Sequence, residues 1–92
     1  MIKIRAKIKL YNIRKTPFRS GYRPLFDFGS KNKTSGHITL LDKQEFLPGE
    51  EAYVEIAFLN RQYLGKDFQE GTTFFFGEGV YTLGEGKVSF IY

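Results

Sequence analysis

The chain of 92 residues has a net charge of +4, contains 41% apolar and 26% charged residues, and has no cysteine. This length predicts a single domain over residues 1–92, and the composition is typical of globular proteins. The lack of cysteine excludes a disulfide framework, a zinc-thiolate site and thiol catalysis. No apolar run is long enough to cross a bilayer and the N-terminus lacks the apolar segment of a signal peptide, so we expect a cytoplasmic protein that does not bind membranes.

Residues 2–11 alternate between apolar and basic or polar side chains. Alternation over ten residues predicts a half-buried strand, with Ile4, Ala6, Ile8 and Leu10 facing the core. A row of cations on the solvent face has two interpretations, because it protects an edge strand from unwanted pairing and also suits a binding role. That row consists of Lys3, Arg5, Lys7 and Lys9.

Turn signals rich in glycine and proline divide the rest of the chain. A tight turn is predicted at Leu47-Pro48-Gly49-Glu50, and residues 60–71 could contain a single helical turn. Phe74 and Phe76 should face the core, which leaves Phe75 exposed as a candidate contact residue. The further predicted strands are 22–28, 37–41, 51–59, 72–76, 80–83 and 87–92. Six or seven short strands without a convincing helix predict an all-β barrel or sandwich.

No pattern of an active site is present, so we expect neither an enzyme nor a cofactor. The phosphate-loop pattern fails because Gly86-Lys87 is followed by Val88 and Tyr81 stands where the first glycine should be. Nucleotide binding is therefore not expected. His37 is the only histidine, and a lone histidine without cysteine does not build a first-row metal site of ordinary type.

The basic residues are concentrated in the first third of the chain. Residues 1–33 hold ten basic side chains and one acid, a net charge of +9, whereas residues 34–92 have a net charge of −5. This asymmetry indicates either an acidic partner, such as nucleic acid or an acidic protein face, or two regions that neutralise each other on neighbouring strands. The candidate phosphate-contacting residues are Arg14, Lys15, Arg19, Arg23, Lys31 and Lys33.

Residues 16–28 read Thr-Pro-Phe-Arg-Ser-Gly-Tyr-Arg-Pro-Leu-Phe-Asp-Phe. This run resembles the start of the third, C-terminal domain of elongation factor Tu, where Thr-Pro-Phe precedes Tyr-Arg-Pro-Gln-Phe. The resemblance covers nearly the whole chain and continues, in the family's order, through Thr34-Ser35-Gly36, Leu47-Pro48-Gly49, Gly71, Glu78-Gly79 and residues 82–86. It implies a six-stranded antiparallel closed β-barrel, in agreement with the strand pattern.

In that family the third domain contacts the T-stem of aminoacyl-tRNA, packs on the GTPase domain and contacts the exchange factor Ts. The resemblance implies a non-enzymatic module that contacts tRNA or another structured RNA in a translation-related role. Glu78, Gly79 and Ser35 match stem-contacting positions, whereas Leu25 replaces a stem-contacting glutamine and Tyr81 replaces an arginine. One alternative is a protein-binding module or mimic that engages the GTPase domain, factor Ts or another protein. Another is a folded remnant that binds nothing.

Overall fold

The computed structural model describes all 92 residues, which form a closed six-stranded antiparallel barrel. Its strands are β1 (Ile2–Leu10), β2 (Leu25–Asp27), β3 (Thr34–Leu40), β4 (Glu51–Phe58), β5 (Thr73–Glu78) and β6 (Tyr81–Ile91). Around the barrel they follow the order β1-β4-β3-β2-β5-β6. A single 3-10 turn, Arg61–Tyr63, lies between β4 and β5. The predicted all-β barrel is confirmed, and no helix in it is long and apolar enough to cross a membrane.

Strand β1 follows the predicted alternation. Ile4, Ala6, Ile8 and Leu10 are fully buried, whereas the four basic side chains between them are exposed. β1 pairs with β4 on one side and with β6 on the other. Because a closed barrel has no edge strand, protection of an edge does not explain the basic row.

Phenylalanine fills much of the barrel interior, where the rings pack against one another edge to face or tilted. Inward-facing glycines make room for these rings, since a Cβ atom at Gly84 would overlap Phe76 and one at Gly86 would overlap Phe74. Both glycines lie inside β6, where they admit large side chains into the core. The buried phenylalanines are Phe18, Phe26, Phe46, Phe58, Phe68, Phe74 and Phe76.

Two predicted strands near the start of the barrel have different boundaries in the structure. β2 begins at Leu25 instead of residue 22, because Pro24 has no amide hydrogen with which to pair. Tyr22 still forms an isolated bridge with Ile38. β3 begins at Thr34 instead of residue 37, because Phe26 and Leu25 of β2 pair with its first two residues.

At the end of the chain, the structure has one strand where the sequence pattern predicts two. β6 runs without interruption from Tyr81 to Ile91, through the glycines that resemble turn signals. Those glycines remain paired, with Gly84 opposite Leu10 and Gly86 opposite Ile8 of β1. The continuous pairing to β1 closes the barrel.

The antiparallel pairing decides where each connection lies. Consecutive strands run in opposite directions, so the connections alternate between the two ends of the barrel. We call upper the end with the connections 11–24, 41–50 and 79–80. The lower end carries the connections 28–33 and 59–72, and the first strand begins and the last strand ends there.

Candidate binding surfaces

At the upper end, Arg14, Tyr22 and Glu78 form a hydrogen-bonded cluster, which we call the upper-end cluster. Nη1 of Arg14 donates to Oε2 of Glu78 at 2.7 Å and to the hydroxyl of Tyr22 at 3.1 Å. The Tyr22 hydroxyl donates to the same carboxylate oxygen at 2.5 Å, and the guanidinium lies 4.7 Å from the centre of the Tyr22 ring. Arg14 and Glu78, which the sequence suggests separately as RNA contacts, are thus bound to each other.

The environment of the cluster shifts two pKa values in opposite directions. The hydrogen bond from Tyr22, followed by the hydrogen bond and charge of Arg14, lowers the pKa of Glu78 despite some desolvation. Burial and the hydrogen bond to Glu78 raise the pKa of Tyr22. Near neutral pH the cluster therefore contains an ionised carboxylate, a neutral phenol and a guanidinium cation.

A second candidate surface lies on the outside of β2 and its neighbours. Leu25 pairs with Ser35 of β3 on one side and with Gly77 of β5 on the other, so these three residues form a row across the barrel wall. Gly79 and Lys33 line a shallow groove together with Leu25. Arg23 and Ser35 line the neighbouring depression of about 140 Å³, beside His37. We call the surface formed by Arg23, Leu25, Lys33, Ser35 and Gly79 the β2 face.

Two glycines shape the upper part of the β2 face. Gly77 lies at a bulge in the pairing of β5 with β6, and a Cβ atom there would overlap the carbonyl oxygen of Tyr81. Gly79 has a φ of +59°, as required at the first central residue of a tight II′ hairpin turn. Apart from the adjacent residues, no heavy atom lies within 4 Å of a Cβ built at Gly79, so its backbone is open to a ligand.

The other predicted cations lie apart from the β2 face. Lys15 and Arg19 belong to an upper connection, whereas Lys31 belongs to a lower one, and all three are exposed. The structure therefore does not gather the six predicted basic residues into one patch. Only Arg23 and Lys33 join Ser35 and Gly79, and neither of these two cations is in an ion pair.

A third surface is a groove of about 530 Å³ on the outside of β1, β6 and β5, which we call the β1–β6 groove. Two half-exposed aromatic rings, Tyr53 and Phe75, line it together with three lysines. Phe75 is exposed as predicted, but the gathering of the other groups was not foreseen, since it depends on strand register. The lysines are Lys7, Lys9 and Lys87.

The acids of the β1–β6 groove compensate only part of its positive charge. Glu51 lies 3.6 Å from the ammonium of Lys7, and both side chains are about half exposed. Glu85 accepts a hydrogen bond of 2.6 Å from Tyr11, and this bond is the main reason that the pKa of Tyr11 is raised to about 12. Lys9 and Lys87 form no ion pair.

The uneven charge of the chain is partly neutralised within the barrel. Three basic residues of the N-terminal third pair with acids from the remainder, at distances of 2.7 to 3.6 Å. The other seven basic residues of residues 1–33 form no ion pair and remain available to an acidic partner. The three pairs are Lys3–Glu55, Lys7–Glu51 and Arg14–Glu78.

The fold and these surfaces define a small closed β-barrel with three exposed candidate sites. No group of three or more histidine, aspartate or glutamate side chains is arranged to hold a metal ion. No protein-family model matches the chain, and no curated protein matches it in sequence. The resemblance to the third domain of elongation factor Tu therefore depends on the motifs of the sequence.

Proposed function

We propose that this barrel is a non-enzymatic binding module that contacts tRNA or another structured RNA through the β2 face. The observation that supports the proposal is the composition of that face. Ser35 and Gly79 match stem-contacting positions of the elongation factor domain. Ser35 pairs with Leu25, and Gly79 lines the same groove as Leu25. The unpaired cations Arg23 and Lys33 lie beside them.

These groups suit the chemistry of structured RNA. A double-stranded RNA presents phosphates and 2′-hydroxyl groups along a wide, shallow minor groove, so proteins recognise it mainly by its backbone. The Ser35 hydroxyl and the open backbone of Gly79 can hydrogen-bond to sugar or phosphate oxygens, and Arg23 and Lys33 supply positive charge. Leu25 adds an apolar contact in place of the family's glutamine. We therefore expect binding with little sequence preference and a strong dependence on salt.

The upper-end cluster has a positioning role in this proposal. An isolated carboxylate next to Gly79 would repel phosphate, but the ion pair with Arg14 neutralises Glu78. The cluster also ties the β5–β6 turn, which contains Gly79, to the 11–24 connection. Glu78 and Arg14 thus fix the turn against which the RNA backbone lies.

The test is a fluorescence titration of a labelled blunt RNA duplex at several salt concentrations. In duplex DNA each lost phosphate contact reduces the slope of log affinity against log salt by about 0.9, and with this value as the upper guide for RNA the double variant R23Q/K33Q should reduce the slope by up to about 1.8. Arg23 makes no side-chain hydrogen bond within the protein, so the barrel should tolerate both changes. The matched control K9Q/K87Q removes the same charge from the β1–β6 groove and should leave the slope for a blunt duplex unchanged. Equal effects of the two double variants, or no binding at low salt, would contradict the proposal.

A protein partner is the second candidate, and exposed apolar side chains favour it. Val80, Tyr81 and Phe75 are 87%, 71% and 52% exposed, and they adjoin the β2 face. Exposed aromatic residues are enriched in protein interfaces, so this surface suits a translation factor, such as the GTPase domain of elongation factor Tu or factor Ts. Recovery of partners from extract with and without ribonuclease separates the candidates. Ribonuclease-sensitive recovery of tRNA supports RNA binding. Recovery of one translation factor from the extract, both with and without ribonuclease, supports the second candidate.

A further inference from the structure

We propose that the β1–β6 groove binds a single-stranded RNA segment, with its aromatic rings stacked on bases and its lysines on phosphates. This inference rests on the proposed RNA-binding function and adds a second surface to it. The groups assigned to the bases are Tyr53 and Phe75. Those assigned to the phosphates are Lys7, Lys9 and Lys87.

Strand register places these groups next to each other across the barrel wall. Lys7 of β1 lies opposite Tyr53 of β4 on one side and opposite Lys87 of β6 on the other. One step along the strands, Lys9 lies opposite Glu85, which in turn pairs with Phe75 of β5. The cations therefore occupy the strands between the two rings.

The separation of the rings indicates how a ligand would lie. Tyr53 on β4 and Phe75 on β5 are three inter-strand steps apart, about 14 Å across the wall, and they are also offset by two residues, about 7 Å along the strands. The two rings are too far apart to stack on the same base. A single strand that crosses the β-strands would place one base on each ring and its intervening phosphates over the lysines.

The groove has the properties that single-strand binders combine, namely a positive surface and exposed aromatic rings. Tyr53 is 49% exposed and Phe75 is 52% exposed. The ammonium of Lys7 lies 5.9 Å from the centre of the Tyr53 ring, so a base that stacks there on the same face must displace it, whereas no cation lies over the Phe75 ring. Lys9 lies opposite Glu51 and Glu85 in the strand register, but neither Lys9 nor Lys87 forms an ion pair within 4 Å. The 3.6 Å contact of Lys7 with Glu51 is long and half exposed. A pair of this kind contributes little in water and can be exchanged for a phosphate.

The same features exclude a duplex as the preferred occupant of the groove. In a duplex the bases are stacked on each other, and their faces are not available to Tyr53 or Phe75. The β2 face and the groove nevertheless meet at Phe75, which lines both. A structured RNA on the β2 face can thus extend an unpaired segment past Phe75 into the groove.

The test is an anisotropy titration of the whole chain with a labelled oligouridylate of about ten nucleotides, within the site sizes known for aromatic single-strand platforms. Loss of one base stack should weaken the binding of F75A about 5- to 150-fold. F75W keeps an aromatic ring and should retain the affinity, whereas K9Q/K87Q should weaken it and reduce its salt dependence. K66Q removes a charge from an exposed lysine of the lower connection 59–72, outside both proposed surfaces, so it serves as the control and should bind oligouridylate like the unaltered chain.

The outcomes separate this inference from the function on which it rests. If the chain binds tRNA or a blunt duplex but no oligouridylate, the groove proposal is wrong and the β2 face proposal stands. If it binds neither, both proposals are wrong. Unchanged oligouridylate affinity in both F75A and Y53A, or equally tight binding of polyglutamate that F75A does not weaken, would exclude base stacking. Melting temperatures of all variants show whether each one remains folded.

Discussion

The substitution G86A tests whether the inward-facing glycines exist to admit phenylalanine rings. Gly86 lies inside β6, opposite Ile8 of β1 and Phe74 of β5. An added Cβ would overlap the Phe74 ring and lie 2.8 Å from Cγ2 of Ile8. Carbon atoms prefer a separation of about 3.5–4.0 Å, so these neighbours would have to move by about 1 Å.

The core leaves little room for such a movement. Phe74 is 2% exposed, and its ring lies 5.7 Å from that of Phe26 and 5.1 Å from that of Phe28. Overpacking of this kind costs about 1–3 kcal/mol, from which about 0.5–1 kcal/mol is recovered because alanine loses less backbone entropy than glycine in a strand. We expect G86A to lower the free energy of unfolding by about 1–2 kcal/mol. For a domain of this size, each kcal/mol corresponds to about 4–8 °C in melting temperature.

Urea unfolding followed by circular dichroism measures this change. S89A, an exposed substitution on the same strand, is the control and should change stability by less than about 0.5 kcal/mol. The double variant G86A/F74L removes part of the ring and should lose less stability than the sum of the single changes. A neutral or stabilising G86A, or strictly additive losses, would refute the steric explanation.

Two further predictions concern pH. Because the pKa of Glu78 is lowered in the folded chain, its cluster stabilises the protein above the ordinary carboxyl pKa, and this contribution is lost as pH falls through the lowered value. E78Q should therefore be less stable than the unaltered chain at pH 7, and the difference measured by urea unfolding should shrink at pH 3; a constant difference would contradict this. The hydrogen bond to Glu85 raises the pKa of Tyr11 to about 12. In a titration of tyrosinate absorbance, one phenol of the unaltered chain should therefore ionise at a higher pH than it does in E85Q. Its stabilisation is complete below pH 10 and is lost as pH rises towards 12, and an identical titration in E85Q would exclude this hydrogen bond as the cause.

Alternation and turn chemistry made much of the fold predictable. In β1 each apolar residue is flanked by basic ones, and only one register buries all of Ile4, Ala6, Ile8 and Leu10. The turn at residues 47–50 was also predicted, because proline followed by glycine satisfies its backbone angles. Both patterns are local, and neither depends on the rest of the chain.

The continuity of β6 was not predictable by the same means. Gly84 and Gly86 resemble turn residues in sequence, and their role becomes clear only beside Phe76 and Phe74, which a different strand supplies. Local patterns describe the backbone freedom of a glycine, but they do not indicate what occupies the space where its side chain would be.

The candidate surfaces were predictable in part for a related reason. Motifs identified Ser35 and Gly79, but their placement near Leu25 follows from the register of three strands, in which Leu25 pairs with Ser35 and with Gly77, two residues before Gly79. The ion pair of Arg14 with Glu78 joins residues 64 positions apart. Charge along the sequence indicated an excess of cations, whereas their division between two ends and one groove depends on topology.

The closure of the barrel by β1 and β6 has a consequence for folding kinetics. The first and last strands of the chain must pair before the wall is complete, as their register from Ile4–Ile91 to Leu10–Gly84 shows. Bringing such distant segments together costs loop-closure entropy before any contact compensates it, so folding should be slow for a domain of this size. During synthesis, β1 can pair with β4 as soon as that strand emerges, but its other edge stays unpaired, and the barrel stays open, until β6 has been made.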